Sequence, residues 1–269
     1  MSAPRSFGTP GPLAVAPNGA LYVASGRELY EMRDERLVPF VSAHRTILST
    51  VAGDGGTVYL GESDALQSVS PSGVVATVAR VGVGGLGSGP SGAIYVVVNN
   101  AIERLAGHKL VLVAKAAKFN GLSGVPTAVG GELGLGSVVA DGKGDLYVSG
   151  EGVGFNLYEL TATGKARFVS PFRGANGKPA PLSVGPQGVV YGEWQNAIYE
   201  ADGGGILPYQ GFQMGTVPEV TGVFLPAFIA ASTHVGSPLY ADSTGGNGFG
   251  GSGIIAIYRN HHIVTLWSG

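Results

Sequence analysis

The sequence contains no cysteine, which excludes disulfide bonds, thiolate catalysis and zinc sites built on thiolate ligands. Charged residues are also scarce, at 13% of the 269 residues, and the formal net charge is −2. No stripe of basic residues is present, so we predict no nucleic-acid partner. No apolar run reaches the roughly 18 to 20 residues that a membrane span needs, so we predict no membrane span.

Several motifs that would indicate an enzyme are absent or out of place. The chain has no G-x-S-x-G sequence, which excludes a nucleophile elbow. Matches to G-x-G-x-x-G, among them residues 82–87 and 248–253, occur in two glycine-rich runs, but neither run is followed by the helical periodicity of a dinucleotide site. Four of the five histidines fall in predicted turns at one end of the fold, and the fifth, His44, falls in a connection at the other end. We therefore expect no multi-histidine metal site.

Glycine is abundant, with 47 residues, while 44% of the chain is hydrophobic. This combination predicts an ordered protein that is rich in turns. The run Pro12 to Ser25, P-L-A-V-A-P-N-G-A-L-Y-V-A-S, indicates a short strand, a tight turn and a second strand centred on Tyr22. The same pattern returns around five further tyrosines, which are Tyr59, Tyr95, Tyr147, Tyr191 and Tyr240.

Two more short extended runs follow each of these tyrosines, so every unit has four predicted strands. The runs are rich in Val, Ile and Tyr and are bounded by Gly, Pro and Asn, which argues against a helical solenoid. We therefore predict an all-β fold, a six-bladed β-propeller with four antiparallel strands per blade, as a single domain over residues 1–269. The predicted blades span residues 12–43, 47–81, 86–115, 136–172, 180–210 and 224–267. We expect the ring to close by packing, without a strand shared between the termini.

Residues Phe119 to Ser149 resemble the NHL-repeat consensus. Their glycine-rich lead-in contains Pro126, Thr127 and Ala128, and a strand, an Asp-x-x-Gly turn and L-Y-V follow. The other five units resemble the second half of that consensus. The resemblance implies an NHL-like propeller, related in fold to the SMP-30/gluconolactonase-like lactonases and the strictosidine-synthase-like proteins. Those lactonases have a metal-binding glutamate before the first inner strand, where this chain has Gly8 to Pro12.

The predicted connections differ in length between the two ends of the ring. Turns between strands one and two, and between strands three and four, are short and lie at one end, which we call the turn end. Connections between strands two and three, and between blades, lie at the other end, which we call the loop-rich end. The long connections, at residues 116–136, 151–156, 172–180, 211–222 and 242–253, all fall there. Long ordered loops usually have a function, so we predict a binding site at the loop-rich end of the channel.

Polar and aromatic residues after the second strands are expected to converge on that site. The predicted ligand-binding residues are Glu62, Asn99, Asn100, Glu151, Asn156, Glu193, Trp194, Asp242 and Asn247. Three of them, Glu62, Glu193 and Asp242, could bind a divalent cation through oxygen, as Ca²⁺ prefers. The alternative role for the acids is to cap the turn that follows them, and the alternative role for Trp194 is to anchor its loop.

We predict a monomeric binding or sensor module that holds a small polar ligand, a glycan or a peptide, and Ca²⁺ is the one candidate cofactor. One alternative is a metal-assisted, Ca²⁺-type hydrolase or lyase of the SMP-30-like class, so the sequence leaves open whether the protein is an enzyme. Another alternative is a protein-interaction scaffold that uses loop Ala116 to Gly136. The low charge and the Gly-, Val- and Ala-rich composition are typical of an exported bacterial domain whose signal peptide has been removed.

Overall fold

The computed structural model describes residues 10–34, 36–123, 133–152, 154–171, 181–185, 188–194, 197–201, 206–213, 229–231, 239–243, 253–257 and 263–268. Within these residues the chain forms 24 strands and three short 3-10 turns, which are Asp54–Gly56, Pro90–Gly92 and Ala116–Phe119. No helix in the described part of the chain is suited to crossing a membrane.

The strands form six antiparallel sheets, each built from four strands that are consecutive in the chain. The first three sheets comprise Leu13–Val15, Leu21–Ser25, Glu28–Arg33 and Arg36–Ser42 (β1–β4); Ser49–Ala52, Val58–Gly61, Leu66–Val69 and Val75–Ala79 (β5–β8); and Gly85–Ser88, Ile94–Val98, Ala101–Ala106 and Lys109–Lys115 (β9–β12). The last three sheets comprise Gly134–Ala140, Leu146–Gly152, Gly154–Leu160 and Ala166–Pro171 (β13–β16); Leu182–Val184, Val190–Trp194, Ala197–Ala201 and Ile206–Gln213 (β17–β20); and Ile229–Ala231, Leu239–Ser243, Gly253–Ile257 and Ile263–Ser268 (β21–β24).

The first strands of the sheets form a closed circuit. β1 contacts β5, and the contacts continue through β9, β13, β17 and β21 back to β1. Where the sixth sheet meets the first, Leu13, Leu21 and Val23 pack with Ala230, and Tyr240 packs against them. The fold is therefore an all-β propeller that closes by packing, as predicted. The blade limits and the single-domain prediction include residues outside the described ranges and stay predictions.

The turns between the first and second strands share one hydrogen-bond pattern. The N–H of Gly53 donates to the carbonyl oxygen of Thr57 at 2.8 Å. Equivalent bonds join Ala16 to Ala20, Gly89 to Ala93, Asp141 to Asp145 and Gly185 to Val189. All five turns contain a glycine with φ between 67° and 87°, and these glycines are Gly19, Gly56, Gly92, Gly144 and Gly188. Glycine adopts this left-handed conformation without steric cost, which explains its recurrence in the sequence.

The repeated tyrosines lie between successive sheets. Tyr22 belongs to a buried cluster that includes Val58 and Leu60 of the second sheet. Tyr147 packs likewise with Leu182 and Val190 of the fifth sheet. Packing between two neighbouring sheets explains why a strand such as Ile94–Val98 is apolar throughout instead of alternating.

The innermost strands of the third and fourth sheets approach each other closely at two glycines, Gly85 and Gly87. A Cβ atom on Gly85 would overlap the carbonyl oxygen of Gly136, and one on Gly87 would overlap that of Val138. The backbones of β9 and β13 are therefore in direct contact, which a larger residue would prevent.

Candidate functional site

Glu62 directly follows β6 at the loop-rich end, and its side chain is fully buried. Its Oε1 accepts a hydrogen bond from the backbone N–H of Arg45 at 3.1 Å. Arg45 lies in the connection that leads from the first sheet to the second. The other carboxylate oxygen, Oε2, is buried without a hydrogen-bond partner. Glu62 therefore caps a connection with one oxygen and keeps the other unengaged.

Asn99 and Asn100 form the turn between β10 and β11 and have φ values of 48° and 58°. Asparagine adopts this region more readily than most residues. The Oδ1 of Asn100 accepts a hydrogen bond from the N–H of Leu135, at the start of the next sheet, at 3.1 Å. The side chain of Asn99 is exposed. Asn100 thus joins two sheets, while its neighbour faces solvent.

Asn156 lies in the core between the third and fourth sheets. It is 1% exposed, and its Nδ2 donates a hydrogen bond to the hydroxyl of Tyr158 at 3.1 Å. The ring of Tyr158 packs against Phe119, with 5.4 Å between the ring centroids. Phe119 ends the 3-10 turn at the start of the long connection 116–136, so the first residues of that connection are anchored in the core.

For the remaining candidates at this end the structure describes backbone positions alone. Glu151, Glu193, Trp194 and Asp242 lie within the last two residues of β14, β18 and β22. Asn247 lies outside the described residues. Among the residues whose placement is described, no three of His, Cys, Asp and Glu are grouped so as to hold a metal ion. A shared ligand or ion site for these residues stays a prediction.

At the turn end the central channel opens into a cavity of about 290 Å³. All six sheets contribute to its wall, through the ends of their innermost strands and the first residues of their one-two turns. Farther along the channel the inner strands carry mostly small and apolar side chains, with Thr50, Ser88 and Ser183 as polar members. A ligand at this mouth therefore meets backbone groups and a few polar side chains.

Two carboxylates lie in the cavity wall. Asp54 is exposed and lies against the Cα of Gly92, where a Cβ atom would overlap its carboxyl group. Asp141 is 9% exposed, and its Oδ1 accepts hydrogen bonds from the N–H groups of Lys143 at 2.8 Å and Asp145 at 2.9 Å. Among the described residues that line the cavity, none is basic. The mouth is therefore negative and favours a ligand with positive charge.

Tyr147, Glu159 and Arg167 form a row across the fourth sheet beside Asp141. The Nε of Arg167 donates to Oε2 of Glu159 at 2.7 Å, and its Nη2 donates to the same oxygen. Burial, together with the negative charges of Glu159 and Asp141, raises the pKa of Tyr147 to about 12. Tyr147 is thus a neutral structural residue at physiological pH, and it hydrogen-bonds Arg167.

Solved structures with this fold serve different functions. The virginiamycin B lyase of Staphylococcus aureus is 14% identical, with a TM-score of 0.60, and the match covers 97% of this chain and 85% of that one. A gluconolactonase from Xanthomonas campestris is 12% identical, with a TM-score of 0.56, over 98% of this chain and 88% of that one. Hydrazine synthase from Kuenenia stuttgartiensis is 14% identical, with a TM-score of 0.56, and the match covers 95% of this chain and 82% of that one.

No family model and no curated protein matches the chain. At these identities the structural likeness shows the fold, and the fold alone does not determine an activity. The chain is a β-propeller.

Asp141 and Gly144 form the Asp-x-x-Gly turn that the sequence contains, but the sequence predicted no binding site at the turn end. The signal for the cavity is the residue that begins each one-two turn. Four of the five described turns begin with alanine or glycine, at Ala16, Gly53, Gly89 and Gly185. Small side chains at this position leave space at the channel mouth.

Proposed function

We propose that this propeller is a binding module that holds a small, positively charged polar ligand in the cavity at the turn end of its channel. The supporting observation is the cavity of about 290 Å³, to which all six sheets contribute. Its volume is close to the lower limit of about 300 Å³ for small-molecule sites. A ligand of a few heavy atoms is therefore the right size.

Charge selects the ligand class. Asp54 is the exposed carboxylate in the wall, whereas Asp141 already accepts two backbone hydrogen bonds within its turn. An ammonium group can donate to Asp54, and its remaining hydrogens can be taken up by backbone carbonyls of the surrounding turns. Uncharged polyols form weaker hydrogen bonds here because they lack the charge that Asp54 attracts.

The experiment is a calorimetric titration of the wild-type protein with small primary amines and, separately, with polyols of similar size. We expect the amines to bind and the Asp54→Asn variant to bind them about tenfold more weakly, since about 1.4 kcal/mol corresponds to a factor of ten. Asp64→Asn is the matched control, because Asp64 is an exposed acid at the other end. Equal binding of amines by wild type and Asp54→Asn would contradict the proposal.

The repeat family and the loop-rich end belong to the same proposal. The Asp-x-x-Gly turn of Asp141 and Gly144 supports NHL-like units. The predicted residues of the loop-rich end then serve larger ligands, glycans or peptides.

The protein acts as a monomer, and its outer edges support this. The third and fourth strands of every sheet shift register, for example between Leu29 and Tyr30, and such bulges discourage edge-to-edge association.

A metal-assisted hydrolase or lyase is the second candidate function. The observation that favours it is the unengaged, buried Oε2 of Glu62 at the loop-rich end. The described residues do not assemble a set of acidic ligands around it, so we derive no reaction step through a metal. The test is Ca²⁺ binding by the wild type and by a Glu193→Ala, Asp242→Ala double variant. Equal affinity in the two proteins would remove this candidate.

A further inference from the structure

Buried polar side-chain atoms without a hydrogen-bond partner are concentrated in the second sheet. Within the described ranges they belong to Ser49, Thr50, Glu62 and Gln67. Both amide atoms of Gln67 lack a partner, as does Oε2 of Glu62. Such a group costs about 1 to 3 kcal/mol when left unsatisfied, and a charged group costs more. A species that contacts these atoms would remove this cost.

Three of these side chains lie on one face of the sheet. Leu60 pairs with Thr50 on one side and with Gln67 on the other, so all three share a face. Glu62, two residues after Leu60, continues on that face. Leu60 belongs to the core between the first and second sheets, so the face is turned toward the first sheet.

These groups face a core to which the first sheet contributes both small and large residues, among them Ala14, Ala24, Tyr22 and Leu29. Glu62, directly after β6, and Gln67 on β7 are diagonal neighbours, roughly 7 to 8 Å apart at the backbone, which is within reach of two long side chains. Their polar ends nevertheless do not bond each other.

Charge identifies the occupant. The side chain of Glu62 is 0% exposed, and its recorded hydrogen bond comes from a neutral backbone N–H. The guanidinium of Arg45, the residue whose backbone N–H bonds Glu62, pairs instead with Asp64 at 3.5 Å near the surface. A water molecule would satisfy hydrogen bonds, whereas a cation of single charge would contact Oε2 and would also offset the charge of an ionised carboxylate.

We propose that Glu62, Gln67 and Thr50 bind a monovalent alkali-metal cation between the first and second sheets. A carboxylate, an amide carbonyl and a hydroxyl supply the oxygen ligands. Thr50 also lines the central channel, which gives the ion a route from solvent. This site is separate from the turn-end cavity, because none of the three residues lines that cavity.

The test is thermal unfolding in NaCl or KCl, with choline chloride holding the ionic strength constant. Raising the alkali salt thirtyfold should raise the unfolding midpoint by about 4 to 8 °C in the wild type. Glu62→Gln keeps an oxygen for the N–H of Arg45 but removes the charge, and Gln67→Leu removes the amide. Both variants should lose the dependence, whereas Asp64→Asn should retain it.

Crystals grown in RbCl supply a direct readout that does not depend on stability. Anomalous density in contact with the Glu62 carboxylate supports the proposal. Equal midpoints in alkali and choline salts overturn it, as does an ordered water only at this position. A loss of the ion leaves amine binding at the turn end unchanged, so the two proposals fail independently.

Discussion

The side-chain oxygen of Asn100 accepts a hydrogen bond from the backbone N–H of Leu135, 3.1 Å away, and so joins the turn of the third sheet to the innermost strand of the fourth. Glu62 forms the equivalent kind of contact with the N–H of Arg45 between the first and second sheets. Polar residues at the loop-rich end therefore hold neighbouring blades together. These residues have this structural role whether or not they also bind a ligand.

Replacing Asn100 by glycine should destabilise the ring through the loss of that bond. Glycine tolerates the positive φ of this position, so the substitution removes the side chain without adding backbone strain. We expect the free energy of unfolding to fall by about 1 kcal/mol more than in Asn99→Gly, whose side chain is exposed. Urea denaturation of the two variants measures the difference, and equal midpoints would show that the bond contributes nothing.

Gly87→Ala should disrupt the contact between the third and fourth sheets. The new Cβ would overlap the carbonyl oxygen of Val138, so the two inner strands must separate. We expect a loss of about 3 kcal/mol in the free energy of unfolding. Gly84→Ala is the control, because its Cβ would meet Val97 at an ordinary 3.4 Å. Comparable melting temperatures for the two variants would contradict the close approach of β9 and β13.

The raised pKa of Tyr147 should appear as a loss of stability in alkali. Its pKa is about 12 in the folded protein and about 10 when unfolded, so between these values the unfolded chain releases a proton that the folded chain retains. The stabilisation is complete below pH 10 and is lost as the pH rises toward 12. Chemical denaturation from about pH 9 to pH 11.5 should show wild type losing up to about 2 kcal/mol more than Tyr147→Phe. If the free energy of unfolding fell equally with pH in both proteins, the pKa of Tyr147 would not be raised in the folded state.

The architecture could be predicted because it depends on local chemistry that each unit repeats. Turns such as Ala16 to Ala20 need glycine at a set position, and tyrosines such as Tyr22 occupy the same place between sheets. The burial of Asn156 could not be predicted, because it depends on the ring of Tyr158 and the connection that carries Phe119. The turn-end cavity likewise arises from small residues on sheets that are distant in sequence.

The most direct measurement of the proposed function uses the absence of cysteine from the chain. A single cysteine introduced by Ser91→Cys, in the wall of the turn-end cavity, or by Asn99→Cys, at the exposed loop-rich turn, can be labelled with a bulky maleimide. Binding of a small amine is then measured for both labelled proteins. We predict that the label at position 91 abolishes binding and the label at position 99 leaves it intact. Binding that survives the first label and is lost with the second would place the ligand at the opposite end and contradict the account.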